Sequence, residues 1–108
     1  PVGEPGRNSD GPNPLKNVYV GEQHMHTQNS FDAWTVGVRG TWAEAYEFAM
    51  GLPFKLSTTG EEMQRKTPYD FVAITDHSEY YGVFKLMADP SSPLSKTDFA
   101  KRLSSSNP

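Results

Sequence analysis

Asp70-Phe71-Val72-Ala73-Ile74-Thr75-Asp76-His77 is the stretch that decides the fold of this chain. Its apolar run is short, continuous and β-prone, the pattern of a strand covered on both faces. It ends on a carboxylate and an imidazole. Upstream, Asn17-Val18-Tyr19-Val20-Gly21-Glu22 reads as a second short strand, closed by Gly21, that delivers the chain into His24-Met25-His26. Between the two, Thr41-Trp42-Ala43-Glu44 sets a hydroxyl three residues before a glutamate, the spacing of a capping box. A helix should follow, with Ala45, Phe48 and Ala49 on its apolar face, Tyr46 and Met50 beside it, and Gly51 and Pro53 as stop signals. A strand, a helix and a buried strand within about 60 residues make a parallel βαβ unit with a right-handed crossover. The expected class is therefore α/β.

The other segments are read around that unit. Residues 27–40, with Ser30, Asp32 and Gly37, are expected to be irregular. In Leu52 to Pro68, Phe54-Lys55-Leu56 suits a short strand, whereas Ser57 to Lys66 is polar, carries Gly60 and stays unassigned. Tyr80 to Ala88 suits a second helix weakened by Gly82, and Ser95 to Leu103 a third with Ser95 and Asp98 near its start. Residues 1–14 hold four prolines and three glycines and read as an extended arm or linker. Residues 15–103 form the folded unit, and Ser104 to Pro108 a frayed tail.

Composition bounds what such a unit can be. The 108 residues fall well short of the roughly 200 or more of a closed eight-stranded α/β barrel. Leu, Ile, Val and Phe make only 20 of 108, but a net charge of −3 is too small for wholesale disorder, so a modest core is expected. With 13 acidic against 10 basic residues there is no electrostatic case for nucleic acid or an anionic membrane surface as partner. No run approaches the roughly 18 apolar residues of a membrane helix. Without cysteine, any metal must be held by His, Asp, Glu, carbonyls or water. A chain that starts at Pro1 rather than Met reads as processed, engineered or cut from something longer.

All three histidines lie in two short clusters, each at the carboxyl end of an expected strand. On an extended backbone His24 and His26 share a face, while Met25 points the other way. Ligands collect at the carboxyl ends of parallel strands, so His24, His26, Asp76 and His77 can converge on one metal site. Asp32 is a further candidate ligand, and Glu22, Glu79 and Arg39 are candidates for its surroundings. Each has a plainer reading. An H-x-H pair also suits exposed strand residues, Asp76-His77 a turn before a helix, Glu22 and Glu79 solvated carboxylates, and Arg39 a surface cation near a helix start. Ser30 and Ser78 read as solvated loop serines, and the tryptophans and tyrosines as ordinary packing.

Asn17-Val18-Tyr19-Val20-Gly21-Glu22-Gln23-His24-Met25-His26-Thr27, then Asp32-Ala33, then Asp70 through Tyr80, resembles the start of bacterial proteins bearing domain of unknown function 3604. That family resembles a branch of the PHP (polymerase and histidinol phosphatase) superfamily. Ala45-Tyr46-Glu47-Phe48-Ala49 and Gly51 fit the family's first helix, so the resemblance runs from about Asn17 to Gly82. It implies the N-terminal βαβ portion of a distorted (βα)7 barrel, incomplete in this chain. It also implies two or three divalent ions (Zn, Mn or Fe) and hydrolysis of small-molecule phosphoesters. By the resemblance His24, His26 and His77 map onto metal ligands, Asp32 onto the acidic ligand, and Asp76 onto a ligating or orienting role. Glu22 stands where the family usually has Asp.

The expected chemistry is metal-activated water attacking phosphorus, with neutral histidines as ligands, so metal affinity falls in acid. An amidohydrolase-type enzyme, which also opens with H-x-H, and a non-catalytic metal-binding or interaction module are the alternatives. Further ligands of PHP sites come from later strands, so this chain is expected to be inactive alone and, through exposed sheet edges, to self-associate. Bacterial cytoplasm and periplasm both stay open.

Overall fold

The computed structural model describes residues 18–105. The expected arm at 1–14, Asn17 of the first expected strand and residues 106–108 of the expected tail lie outside them. The centre of the fold is a parallel pair, β1 (Gly21–Met25) beside β4 (Phe71–Ile74). Gly21 pairs with Phe71, Glu22 with Val72 and Met25 with Ile74, so an irregularity between Glu22 and Met25 spends one more residue on β1 than on β4. The ladder continues past both ends: Asp70 N donates to Val20 O at 2.8 Å and Thr75 N to Met25 O at 2.8 Å. The expected parallel connection is present, with two helices and a hairpin as its crossover.

The first strand begins later than its β-propensity suggests. Val18, Tyr19 and Val20 are exposed and outside the strand, and Gly21 opens it rather than closing it. The reason is tertiary. A Cβ at Gly21 would collide with the carbonyl and ring of Phe71, so this is the residue at which the two backbones approach closely. The second strand also departs from expectation. α2 packs against β4, and β4 alternates between exposed Phe71 and Ala73 and half-buried Val72 and Ile74. Among the described residues only one of its faces is covered, giving the period-two pattern of a one-sided strand.

Two helices precede the hairpin. α1 (Phe31–Thr35) lies in the stretch expected to be irregular. Ser30 enters it in extended conformation, Asp32 sits in its first turn, and Gly37 at φ +94° follows it. α2 (Trp42–Ala49) forms as its capping box predicts. Thr41 Oγ1 accepts from Glu44 N at 3.2 Å, and Glu44 Oε2 accepts from Thr41 N at 2.8 Å. Ala49 is buried, and its carbonyl accepts from Tyr69 N at 2.9 Å, which fastens the helix to the entry of β4.

The unassigned polar stretch supplies a strand after all. β2 (Phe54–Lys55) pairs antiparallel with β3 (Glu62–Met63), and Gly60 at φ +75° turns the chain between them. α3 (Val83–Ala88) starts later than the expected Tyr80, because Tyr80 and Gly82 both take positive φ and break the helix there. Ser95 lies in a 3₁₀ turn (Pro93–Lys96), and α4 (Asp98–Ser105) starts after Thr97, whose hydroxyl accepts from Ala100 N at 3.2 Å. Ser104 and Ser105, expected to fray, belong to α4. No described helix is long and apolar enough to cross a membrane. The buried apolar core of the described residues is thin: Ala33, Ala49 and Ala100.

Candidate metal centre

Because β1 and β4 are parallel neighbours, their carboxyl ends lie side by side, and His24-Met25-His26-Thr27 meets Thr75-Asp76-His77 there. His24 and His26 face the same way, with ring centroids 4.8 Å apart, and the rings of His26 and His77 are 5.0 Å apart. α1 adds a carboxylate from its first turn. Asp32 Oδ2 lies 2.9 Å from His26 Nδ1 and 3.5 Å from His77 Nε2. The His26 side chain is 15% exposed, while His77 and Asp32 are 41% and 42% exposed, so the cluster opens to solvent on the His77 side. The Phe31 ring, 4.8 Å from that of His77, walls one flank.

The carboxylate is held ionised. Asp32 has its pKa lowered from 3.8 to about 2, first by the Ser30 hydroxyl and then by the Ala33 amide and His26, with slight burial opposing them. Ser30 Oγ donates to Asp32 Oδ1 at 2.7 Å and Ala33 N donates to the same oxygen at 2.7 Å. Ser30 Oγ also accepts from His77 N at 3.0 Å. Ser30 is thus 0% exposed, not the solvated loop residue its neighbours in sequence suggest. Its burial depends on β4 arriving beside it, which no local pattern announces. The Ser-x-Asp spacing at the start of α1 is the one signal that was available.

The other candidates are placed as follows. Asp76 spends both oxygens on Thr27, accepting from its N at 2.5 Å and its Oγ1 at 2.6 Å, and so braces the end of β1 against the end of β4. Thr27, which the sequence did not single out, is 1% exposed. Glu22 Oε1 accepts from Gln23 N at 2.9 Å and His24 N at 2.8 Å and folds back on its own strand. Glu79 Oε2 lies 3.7 Å from His77 Nδ1, on the nitrogen opposite Asp32. Arg39 stands apart: its guanidinium lies 3.6 Å above the Trp34 ring centroid and donates to the Trp34 and Val38 carbonyls at 2.8 and 2.9 Å.

His26, Asp32 and His77 each offer a ligand atom, all within 4.8 Å of one another. Their chemistry fits a divalent ion, since two imidazoles and a carboxylate form a common three-ligand set with room for substrate or water. The spacing of the two pairs that include Asp32 fits too, and the third pair lies within 4.8 Å. Ligands on a tetrahedral ion with bonds of about 2.0–2.1 Å stand roughly 3.3 Å apart, and the observed pairs at 2.9 and 3.5 Å straddle that value. His24, with its ring exposed, lies at the edge of the group.

Fold and site together define an α/β unit with a histidine-carboxylate cluster at the carboxyl ends of paired parallel strands. The family described as "Protein of unknown function (DUF3604)" matches residues 13–107, and the chain belongs to that family. No curated protein and no solved structure matches it.

Proposed function

We propose that this chain carries the first part of a metal-dependent hydrolase centre acting on small phosphate esters, within a PHP-type distorted (βα)7 barrel. One observation carries the reading: His26 just after β1, Asp32 in the first turn of α1 and His77 just after β4 bring ligand atoms within 4.8 Å of one another where parallel strands end. A divalent ion bound there, Zn, Mn or Fe, supplies Lewis acidity toward a phosphoryl oxygen and makes a water molecule more acidic. The chain's own residues provide the rest. Asp32 contributes a fixed negative charge, and His26 and His77 contribute imidazole nitrogens. Glu79 adds a negative charge 3.7 Å from His77 Nδ1, on the side of the ring away from Asp32. The open His77 flank admits substrate. His24, edge-to-face with His26, begins a second ion site whose other ligands come from strands beyond this unit.

Elemental analysis tests the reading, on protein purified without chelator or affinity metal and on a His26→Ala/His77→Ala double variant. Stoichiometric Zn, Mn or Fe in the parent, lost in the variant, supports it. Negligible metal in both, with no metal-dependent hydrolysis of a phosphoester panel by the longest natural form, overturns it. Hydrolysis of amides in place of phosphoesters would redirect it to an amidohydrolase-type activity.

A further inference from the structure

Among the described residues only two polar side chains are buried, Thr27 and Ser30, and both sit beneath the histidine-carboxylate cluster. Thr27 is accounted for by its brace with Asp76. Ser30 is less ordinary, because one hydroxyl addresses two candidate ligands at once. It has one proton to give, and that proton goes to Asp32 Oδ1 at 2.7 Å. One of its lone pairs receives His77 N at 3.0 Å. Its own backbone is tied down as well: Ser30 N donates to Thr27 O at 3.1 Å, and Trp34 N donates to Ser30 O at 2.9 Å.

This arrangement divides the two oxygens of Asp32. Oδ1 takes Ser30 Oγ and Ala33 N, both at 2.7 Å, and two donors fill the two lone pairs of a carboxylate oxygen. His26 Nδ1 is 3.1 Å from Oδ1 but 2.9 Å from Oδ2, and His77 Nε2 is 3.5 Å from Oδ2. Oδ2 is the oxygen left facing both imidazoles. Resting on the metal reading above, we infer that Ser30 is a positioning residue that makes Asp32 a one-oxygen ligand and thereby selects the metal. A single carboxylate oxygen with two imidazoles suits a small ion of low coordination number such as Zn²⁺. Large oxygen-seeking ions instead use bidentate carboxylates and more ligands.

The inference is read from the ratio of two affinities on the full chain. Zn²⁺ and Mn²⁺ are each titrated against a chelating dye into the parent, Ser30→Ala and Ser30→Thr, with metal-free melting temperatures for all three. Ser30→Ala is expected to weaken Zn²⁺ binding by about 10–100-fold and Mn²⁺ binding by a smaller factor, so the preference for zinc drops. Ser30→Thr, which keeps the hydroxyl, is expected to restore the parent's ratio. Equal losses for both ions, or unchanged affinities, would overturn the selective role while leaving the metal site intact. A Ser30→Ala chain that does not fold even with metal would assign Ser30 to the fold and also overturn it. A parent chain that binds neither ion removes the metal reading itself, and this inference with it.

Discussion

Two adjoining parts of the crossover are held together in different ways. At the carboxyl ends of β1 and β4, bonds between polar groups cross 47 and 49 residues of sequence: Ser30 to His77 and Thr27 to Asp76. Next to them, where α2 meets the hairpin, the contacts are apolar and loose. There Met25, Val38, Phe48, Phe54, Leu56 and Met63 line a hollow of about 250 Å³ that reaches His26 and Thr27. Its two facing rings, Phe48 and Phe54, sit 6.3 Å apart. Directional bonds hold the candidate site, whereas the hairpin is placed by packing that leaves space. Precision is concentrated where chemistry would need it.

The largest test of that contrast is Asp76→Ala. It strips the buried Thr27 of both its acceptors, and unsatisfied buried donors bonded to a charge make a loss of about 3 kcal/mol the expected outcome in urea unfolding. A loss under about 1 kcal/mol would mean the polar end is no stiffer than the hairpin. Phe48→Ala comes next. A packed core phenylalanine costs about 3–5 kcal/mol, but Phe48 is half-buried beside a hollow, so about 2 kcal/mol is expected. If Phe48→Ala exceeds Asp76→Ala in the same assay, the ranking of the two regions is reversed.

Thr41→Ala should be smaller again, about 1 kcal/mol, since it removes the capping hydroxyl and leaves the helix face unchanged. Circular dichroism would show the loss as earlier melting of helical signal. The smallest effect concerns acid. Asp32 has its folded-state pKa lowered from 3.8 to about 2, so its contribution to stability is complete above about 3.8 and disappears as pH falls through about 2. Melting temperatures of the parent and Asp32→Asn, compared between pH 6 and pH 2, should converge toward the acid limit. A gap that stays constant across that range would place the stabilisation outside the carboxylate's charge.

Much of the parallel unit was legible because its signals are local. The capping box at Thr41 and Glu44, the apolar run before Asp76 and the paired histidines each need only a few neighbouring residues to be read. The errors share the opposite property. β1 begins at Gly21 because Phe71, far along the chain, crosses there, and Val18 to Val20 have β-propensity but stay exposed outside the strand. β3 is polar and two residues long, so no hydrophobic period marks it. α1 is a five-residue helix, too short for a periodic face to declare itself. Within the site, the residue types and their convergence could be anticipated, but not the division of labour. Asp32 joins His26 and His77, Asp76 turns to Thr27, and Ser30 lies beneath them, a partition set by which loop packs over which strand end.

The extra residue in β1 between Glu22 and Met25 carries a last consequence. Side chains on a strand alternate, so the number of residues between two fixed pairs has a parity, and parity decides which face each residue shows. Here the extra residue sets which face His24 and His26, two apart and so on the same side, show relative to Gly21, which stays opposite Phe71. Deleting Gln23 would remove no histidine, yet with Gly21 held opposite Phe71 it would reverse the face that His26 shows and turn it from Asp32. The site is therefore tuned by counting as much as by composition, and Gln23 should accept substitution far more readily than deletion.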